Sequence, residues 1–256
     1  MTTVDKALSL LEHFDHLSPA LGLAELTRRS GYDKAAVLRQ CSALVRAGLL
    51  EQEDASRAYR LGGGILRLAA LREASQPIRK LMHEVLVSIE AETHETCHGS
   101  LLQGDRLNSV AICEGKMAHI VRIEPGLVLP IHATASGHAV LAFASPSLKS
   151  RALQKELEPL TVASPISTET IENSLEETRS RGFSKAVGWY ESGVTSFAAP
   201  IFDAIKQPIG AVSIAAPTSR VDADFEPTIA PLLINASHLL TDRLGGQSPE
   251  HYPAIA

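Results

Sequence analysis

Nothing in this 256-residue chain approaches the run of about 18 apolar residues that a membrane-spanning helix needs, so no membrane partner is expected. The opening residues alternate apolar and charged positions and lack a basic stretch followed by an apolar one, so no export signal is expected either. Three cysteines, Cys41, Cys97 and Cys113, are too few for a disulfide framework and read as reduced thiols of a cytoplasmic protein. The common catalytic strings are missing as well: there is no Gly-x-Ser-x-Gly, no phosphate-binding loop and no glycine-rich dinucleotide fingerprint. The chain therefore reads as a non-enzyme without a cofactor.

Positive charge is also scarce, with a formal net charge of −5. Taken alone, that argues against a nucleic-acid partner. The charge is unevenly spread, however. Residues 1–80 carry 12 Lys/Arg against 9 Asp/Glu, and the remainder carries 12 against 20. A basic head on an acidic body is expected when one end meets phosphate and the other does not.

In the head, Val4, Ala7, Leu8, Leu11, Phe14 and Leu17 fall at three- and four-residue spacing and predict a helix with one buried stripe. A second, short helix is expected over Leu23–Ser30, stopped by Gly31. Asp33 is placed to cap a third, from Lys34 to about Ala47, with Val37, Leu38, Cys41, Leu44 and Val45 inward. Two helices about a glycine turn form a helix-turn-helix. A strand at Leu49–Glu53, a turn and a returning strand at Tyr59–Leu61 would add a wing. In that arrangement the third helix enters the major groove of double-stranded DNA, presenting Lys34, Ala35, Ala36, Arg39 and Gln40. Arg39 suits guanine and Gln40 adenine. Arg28 and Arg29 are candidates for phosphate contact, with Arg57 or Tyr59-Arg60 in the wing.

Beyond residue 62 the pattern predicts a linker helix over 63–76. A domain of antiparallel strands and segregated helices, an α+β class, follows over 77–245, and residues 246–256 read as a flexible tail. Strands are expected at Ser100–Leu102, Asn108–Cys113, His119–Ile123, Thr195–Phe202 and Ile209–Ala215. Helices are expected at Ile78–Thr93, Gly137–Phe143, Leu148–Leu157, Thr168–Arg181 and Phe225–Leu244. The segment Thr134–Gly137 precedes a helix, so the amides of Ala135, Ser136 and Gly137 are candidates to hold an anion.

The pieces Val4-Asp5-Lys6-Ala7-Leu8, Leu23-Ala24-Glu25-Leu26, Arg46-Ala47-Gly48-Leu49-Leu50-Glu51 and Tyr59-Arg60-Leu61-Gly62 resemble the IclR family of bacterial transcription regulators. So do Ala135-Ser136-Gly137-His138-Ala139, Arg181-Gly182-Phe183, Glu191-Ser192-Gly193-Val194 and Ile209-Gly210-Ala211-Val212-Ser213. The resemblance implies a GAF-like C-terminal domain that binds a small-molecule effector, and a protein that pairs as a dimer, with further pairing to a tetramer. It also places Ala135, Ser136, Gly137, Ser196, Ser213 and Ala215 at the effector, with Trp189, Glu191 and Val194 nearby. Two departures bear on specificity. The family's usual Lys-Ser-Thr is Lys34-Ala35-Ala36 here, removing two hydroxyls from the recognition helix. Positions that are acidic or hydroxylated in members binding small polar acids are Ala186 and Ala215, which with Trp189 and Tyr190 favour an organic acid of more apolar or aromatic surface.

Two rival readings remain at this level. The winged helix of a ligand- or redox-sensing GAF-type module can dock protein rather than DNA. In addition, His94-Glu95-Thr96-Cys97-His98 fits the H-E-x-x-H string of zinc peptidases. That chemistry needs both histidines on one helical turn, and a helix ending near Thr93 would set them about 13 Å apart in extended chain.

Overall fold

The computed structural model describes residues 1–124, 126–154 and 157–254 and divides into two compact units, Met1–Pro77 and Ile78–Ala256. In the first, α1 (Thr3–Ser9) is capped by Thr2 and Asp5 in a reciprocal pair of hydrogen bonds. It tightens at once into a 3₁₀ turn over Leu10–His13. The change of pitch moves the buried stripe: Leu10 is fully enclosed, whereas Val4, Leu8 and Leu17, expected inside, are exposed. Next come β1 (Ala20–Leu21), α2 (Leu23–Ser30) and α3 (Lys34–Arg46). Gly31 ends α2 at φ 67°, a left-handed conformation that glycine adopts without strain. The Asp33 carboxylate accepts from the amides of Ala35 and Ala36 and starts α3.

The wing is built from β2 (Leu50–Gln52) and β3 (Tyr59–Leu61), and β1 completes a three-stranded antiparallel sheet in the order β1-β3-β2. Leu10, Leu21, Leu26, Val37, Cys41, Leu44, Leu50 and Tyr59 form the core of this unit. Helix α4 (Gly63–Ser75) follows within the same unit and buries none of its residues.

The second unit opens with α5 (Ile78–Thr93), which leads into the hairpin β4 (Thr96–Gln103) and β5 (Arg106–Cys113). Then come β6 (Val128–Leu129), α6 (Ala135–Phe143), α7 (Pro146–Leu153), α8 (Thr168–Arg181), β7 (Ser184–Val187), β8 (Val194–Phe202), β9 (Pro208–Pro217) and α9 (Phe225–Arg243). Six antiparallel strands lie in the order β6-β5-β4-β9-β8-β7. Both faces are covered. On one, Met82, Leu86 and Ile89 of α5 and Leu233 and Leu240 of α9 pack on Phe197, Val212 and Ile214. On the other, Leu141 of α6 and Ile171 and Leu175 of α8 pack on Leu107, Ala198 and Ala211. The two-residue period of a strand accounts for the division, since Ala211 and Val212 are adjacent and serve opposite cores.

The α+β, GAF-like class read from the sequence is the one observed. Several expectations are corrected. His119–Ile123 is irregular chain rather than strand, while β6 and β7 had no counterpart in the reading. α7 ends at Leu153, and Lys155 and Glu156 of the longer helix expected there lie outside the described residues. Residues 246–254 are not an untethered tail; Ile255 and Ala256 lie outside the described residues. Tyr252 is buried and meets the rings of Phe143, Phe202 and His238. The His238 ring bonds both the Pro253 carbonyl (2.7 Å) and the Ser248 hydroxyl (3.1 Å). An aromatic side chain and satisfied backbone groups hold the segment down. Among the described residues, no helix is long and apolar enough to cross a membrane.

Candidate DNA-reading surface and effector pocket

The inward face of α3 is Val37, Gln40, Cys41 and Leu44; its outward face carries Lys34, Ala35, Leu38 and Arg39, all exposed. Arg39 and Lys34 have no partner among the described residues, so both charges are available. Gln40, expected on the outer face, is buried with its Oε1 unpartnered, because it sits between Val37 and Leu44 on the helical repeat. Leu38, expected inside, is 46% exposed. Arg28 is open to solvent and pairs with Glu25 at 2.6 Å.

Arg29 is committed to the fold instead: it donates to Glu25 (2.7 Å), the His13 carbonyl (3.0 Å) and the Ser18 hydroxyl (2.9 Å). Its guanidinium ties α2 to the turn before β1 and leaves little for a phosphate. Tyr59 is likewise a core residue, 3% exposed, and not a surface contact. Arg60 is exposed, paired with Glu51 at 3.1 Å.

In the second unit, cross-strand register assembles a pocket on the α6 side of the sheet. Ala186, Ser196 and Ala215 are direct neighbours across β7, β8 and β9. Two residues along β9, Ser213 is opposite His98 of β4. Together with the start of α6 and with Val121, Arg122, Ile123, Leu127 and Leu129, these strands line about 550 Å³ of empty space, open solvent at its mouth included. Of that, the cavity proper is about 60 Å³. The walls are mainly apolar: Val121, Ile123, Leu127, Leu129, Ala186, Trp189, Val194 and Ala215. Among the polar groups, the Ser136 hydroxyl meets His98 at 3.4 Å; Arg122, Thr134, Tyr190, Glu191 and Ser196 also line the space.

Of the expected effector residues, Ala135, Ser136, Trp189, Glu191, Val194, Ser196 and Ala215 line this pocket. Gly137 and Ser213 do not. The Gly137 amide, proposed as an anion donor, already serves the Thr134 hydroxyl that caps α6 (3.1 Å). Ser213 lies behind the wall, fully buried, and its hydroxyl bonds that of Ser136 at 2.6 Å. The amides of Ala135 and Ser136, in the first turn of α6, have no acceptor within the helix. Missed by the sequence reading were His98, hidden in the zinc-like string, Val121, Arg122 and Ile123, in irregular chain whose alternation resembles a strand, and Leu127 with Leu129 of β6.

The zinc-like string itself has another use. His94 leaves α5 with φ 58°, and Thr96 to His98 belong to β4, so the two histidines do not share a helical turn. Glu95 is buried and takes a two-pronged ion pair from Arg220, at 2.5 and 2.6 Å. This arrangement fastens the end of β9 to the α5–β4 junction and contradicts the peptidase geometry.

Two buried histidines flank the pocket. The His138 ring bonds the Ser174 hydroxyl (2.8 Å) and the His132 carbonyl (2.7 Å), and its centroid lies 4.6 Å from that of Trp189. His98 reaches Ser136 at 3.4 Å. Burial pushes both imidazoles down to about 4, so each is neutral in the folded protein. The unfolded chain protonates them near 6.5 and therefore binds more protons between pH 4 and 6.5. Folding stability contributed by these groups is present above pH 6.5 and is lost as pH falls towards 4. Thermal midpoints measured across that window should drop for the native protein and drop less for His98→Asn with His138→Asn; parallel curves would contradict this.

Comparison with known proteins accords with both halves. A family model described as the IclR helix-turn-helix domain matches residues 3–54, and one described as the bacterial transcriptional regulator IclR C-terminal domain matches residues 72–241. The crystal structure of an IclR-type regulator from Silicibacter sp. TM1040 superposes with a TM-score of 0.93 at 42% identity, covering 99% of this chain and all of that one. The transcriptional repressor IclR of Escherichia coli is 26% identical over 95% of this chain and 90% of its own length. An IclR homologue from Microbacterium hydrocarbonoxydans, crystallised with 4-hydroxybenzoate, shares the fold at 22% identity and a TM-score of 0.79, over 95% of this chain and 98% of that one. The chain therefore belongs to the IclR family of bacterial transcription regulators: a DNA-binding protein, not an enzyme, with an effector-binding C-terminal domain.

Proposed function

We propose that the effector is a small organic acid with an aromatic or otherwise apolar body, and that it controls a repressor or dual regulator acting on its operator in the cytoplasm. The observation that carries this reading is a mainly apolar pocket into which the first turn of α6 brings Ala135 and Ser136. The carboxylate sits at the start of α6, on the amides of Ala135 and Ser136 and the hydroxyls of Ser136 and Ser196. The ring lies against Trp189, Ala186, Val194 and Ala215. The 4-hydroxybenzoate complex of the Microbacterium protein supports a ligand of this class in this fold. The effector shifts DNA affinity by its preference between two conformations, commonly about 1–3 kcal/mol.

Calorimetric titration with benzoate-class acids, set against glyoxylate-sized ones, tests the class. Ser196→Leu places an isobutyl group in the cavity and should abolish the response to effector while leaving DNA affinity near that of the native protein. Equal loss of both would mean the substitution damages the fold.

On the DNA side, Lys34, Ala35 and Arg39 of α3 face the major groove, with Arg28 and Arg60 towards phosphate. The partner that completes the site is a second copy. Leu66, Leu68 and Leu71 of α4 are 75%, 48% and 59% exposed, apolar side chains set around the helix that bury nothing within their own unit. Pairing through α4 and the winged helix would set two recognition helices about 34–36 Å, or a multiple, apart. Sedimentation of Leu66→Glu with Leu71→Glu is expected to show monomers where the native protein pairs; an unchanged assembly would place the interface elsewhere.

A further inference from the structure

The outward stripe of α3 carries a feature that its charges do not explain. Ala35, Leu38, Arg39 and Ser42 fall at positions i, i+3, i+4 and i+7 and so share one face. The Ser42 hydroxyl is turned back onto the Leu38 carbonyl at 2.8 Å, which occupies its proton. Between Lys34 and Arg39 the outward side chains, Ala35 and Leu38, therefore offer only carbon. An exposed leucine alone is unremarkable. This one is a turn from the Asp33 cap and beside Arg39, exposed at the border of the buried Val37, Gln40, Cys41 and Leu44. Leu38 itself offers neither donor nor acceptor to a base edge that it covers, so a polar group there would lose its water without replacement from this side chain.

We infer that Leu38 is a specificity-determining residue that packs on the C5-methyl of a thymine. That base pair neighbours the guanine read by Arg39. Among the four bases only thymine presents an apolar group in the major groove. The inference rests on the reading of α3 as the groove-entering helix. It adds a prediction about operator sequence that charge alone does not make: each half-site holds a guanine and, beside it, a thymine recognised by shape and apolar contact.

The test begins with selection of binding sequences from random duplexes by the full-length protein. Each thymine of the selected site is then replaced by uracil, which deletes the methyl and nothing else. For the native protein, one replacement in each half-site is expected to weaken binding about fourfold, the value of one buried methyl-sized group. Leu38→Ala should weaken binding to the thymine site to a similar degree and no longer distinguish thymine from uracil. Because Leu38 is exposed, the variant should melt with the native protein, which a thermal scan checks. The inference is overturned if every uracil replacement is neutral, or if Leu38→Ala keeps the preference for thymine. Selection that enriches no sequence would instead remove the groove-reading proposal, and this inference with it.

Discussion

Gly137→Ala is expected to unfold the effector domain, or to leave it unstable by about 3 kcal/mol or more. A Cβ at this position would lie 1.9 Å from the Ile131 carbonyl oxygen and 2.5 Å from its carbon. Both are backbone atoms, so no side-chain rotation relieves the overlap. The loop before α6 crosses the helix at that residue, and the Thr134 hydroxyl that bonds the Gly137 amide also donates to the Pro130 carbonyl at 2.9 Å. Moving the loop aside would break this cap and shift Ala135 and Ser136, which line the pocket. Urea denaturation is the measurement, with Ser136→Ala as the control that keeps the backbone intact. An unchanged midpoint for Gly137→Ala would show that the close approach is relaxed in solution.

Tyr252→Ala is the second large effect, at about 3–5 kcal/mol, the range for deleting a buried aromatic ring. The ring is 5% exposed and meets Phe143 of α6 (5.4 Å between centroids), Phe202 of β8 and His238 of α9 (5.2 Å each). It thus joins three elements at one end of the domain. Burial pushes its phenol well above the ordinary tyrosine range. The hydroxyl finds no hydrogen-bond partner among the described residues, so Tyr252→Phe should retain nearly full stability. Thermal scans of the two variants separate ring from hydroxyl. A native-like midpoint for Tyr252→Ala would mean that the C-terminal segment is dispensable after all.

The contrast between these two residues illustrates what local pattern can reveal. The helix-turn-helix and its wing were legible because Gly31, Asp33 and the spacing of Val37, Cys41 and Leu44 each act within a few residues. The same holds for α5, α8 and α9. Tyr252 was read as part of a tail because two prolines in a short polar segment suggest a chain that nothing holds; its anchorage comes from Phe143 and Phe202, remote in sequence, and from His238 of α9. Gln40 and Leu38 were exchanged between faces because both flank the border of the helical stripe, where a small rotation of α3 on its neighbours decides. At the pocket, Ser136, Ser196 and Ala215 were placed by family resemblance. His98 was visible only as part of a zinc-like string, and its true position follows from register with Ser213, a long-range pairing that spacing alone does not encode. His119–Ile123 alternates like a strand yet is irregular chain, and it is Val128–Leu129 that pairs with β5.

Fluorescence anisotropy of the full-length protein on its own upstream DNA, against a scrambled duplex, tests the central claim most directly. It should be run between about 50 and 200 mM salt, with and without a benzoate-class acid. The expected result is tight, sequence-dependent binding that falls by about 0.9 log units per phosphate contact per log unit of salt, with an affinity that shifts when the acid is present. Weak binding without sequence preference and with a flat salt dependence, in both the presence and absence of the acid, would contradict it and point to a winged helix that docks protein.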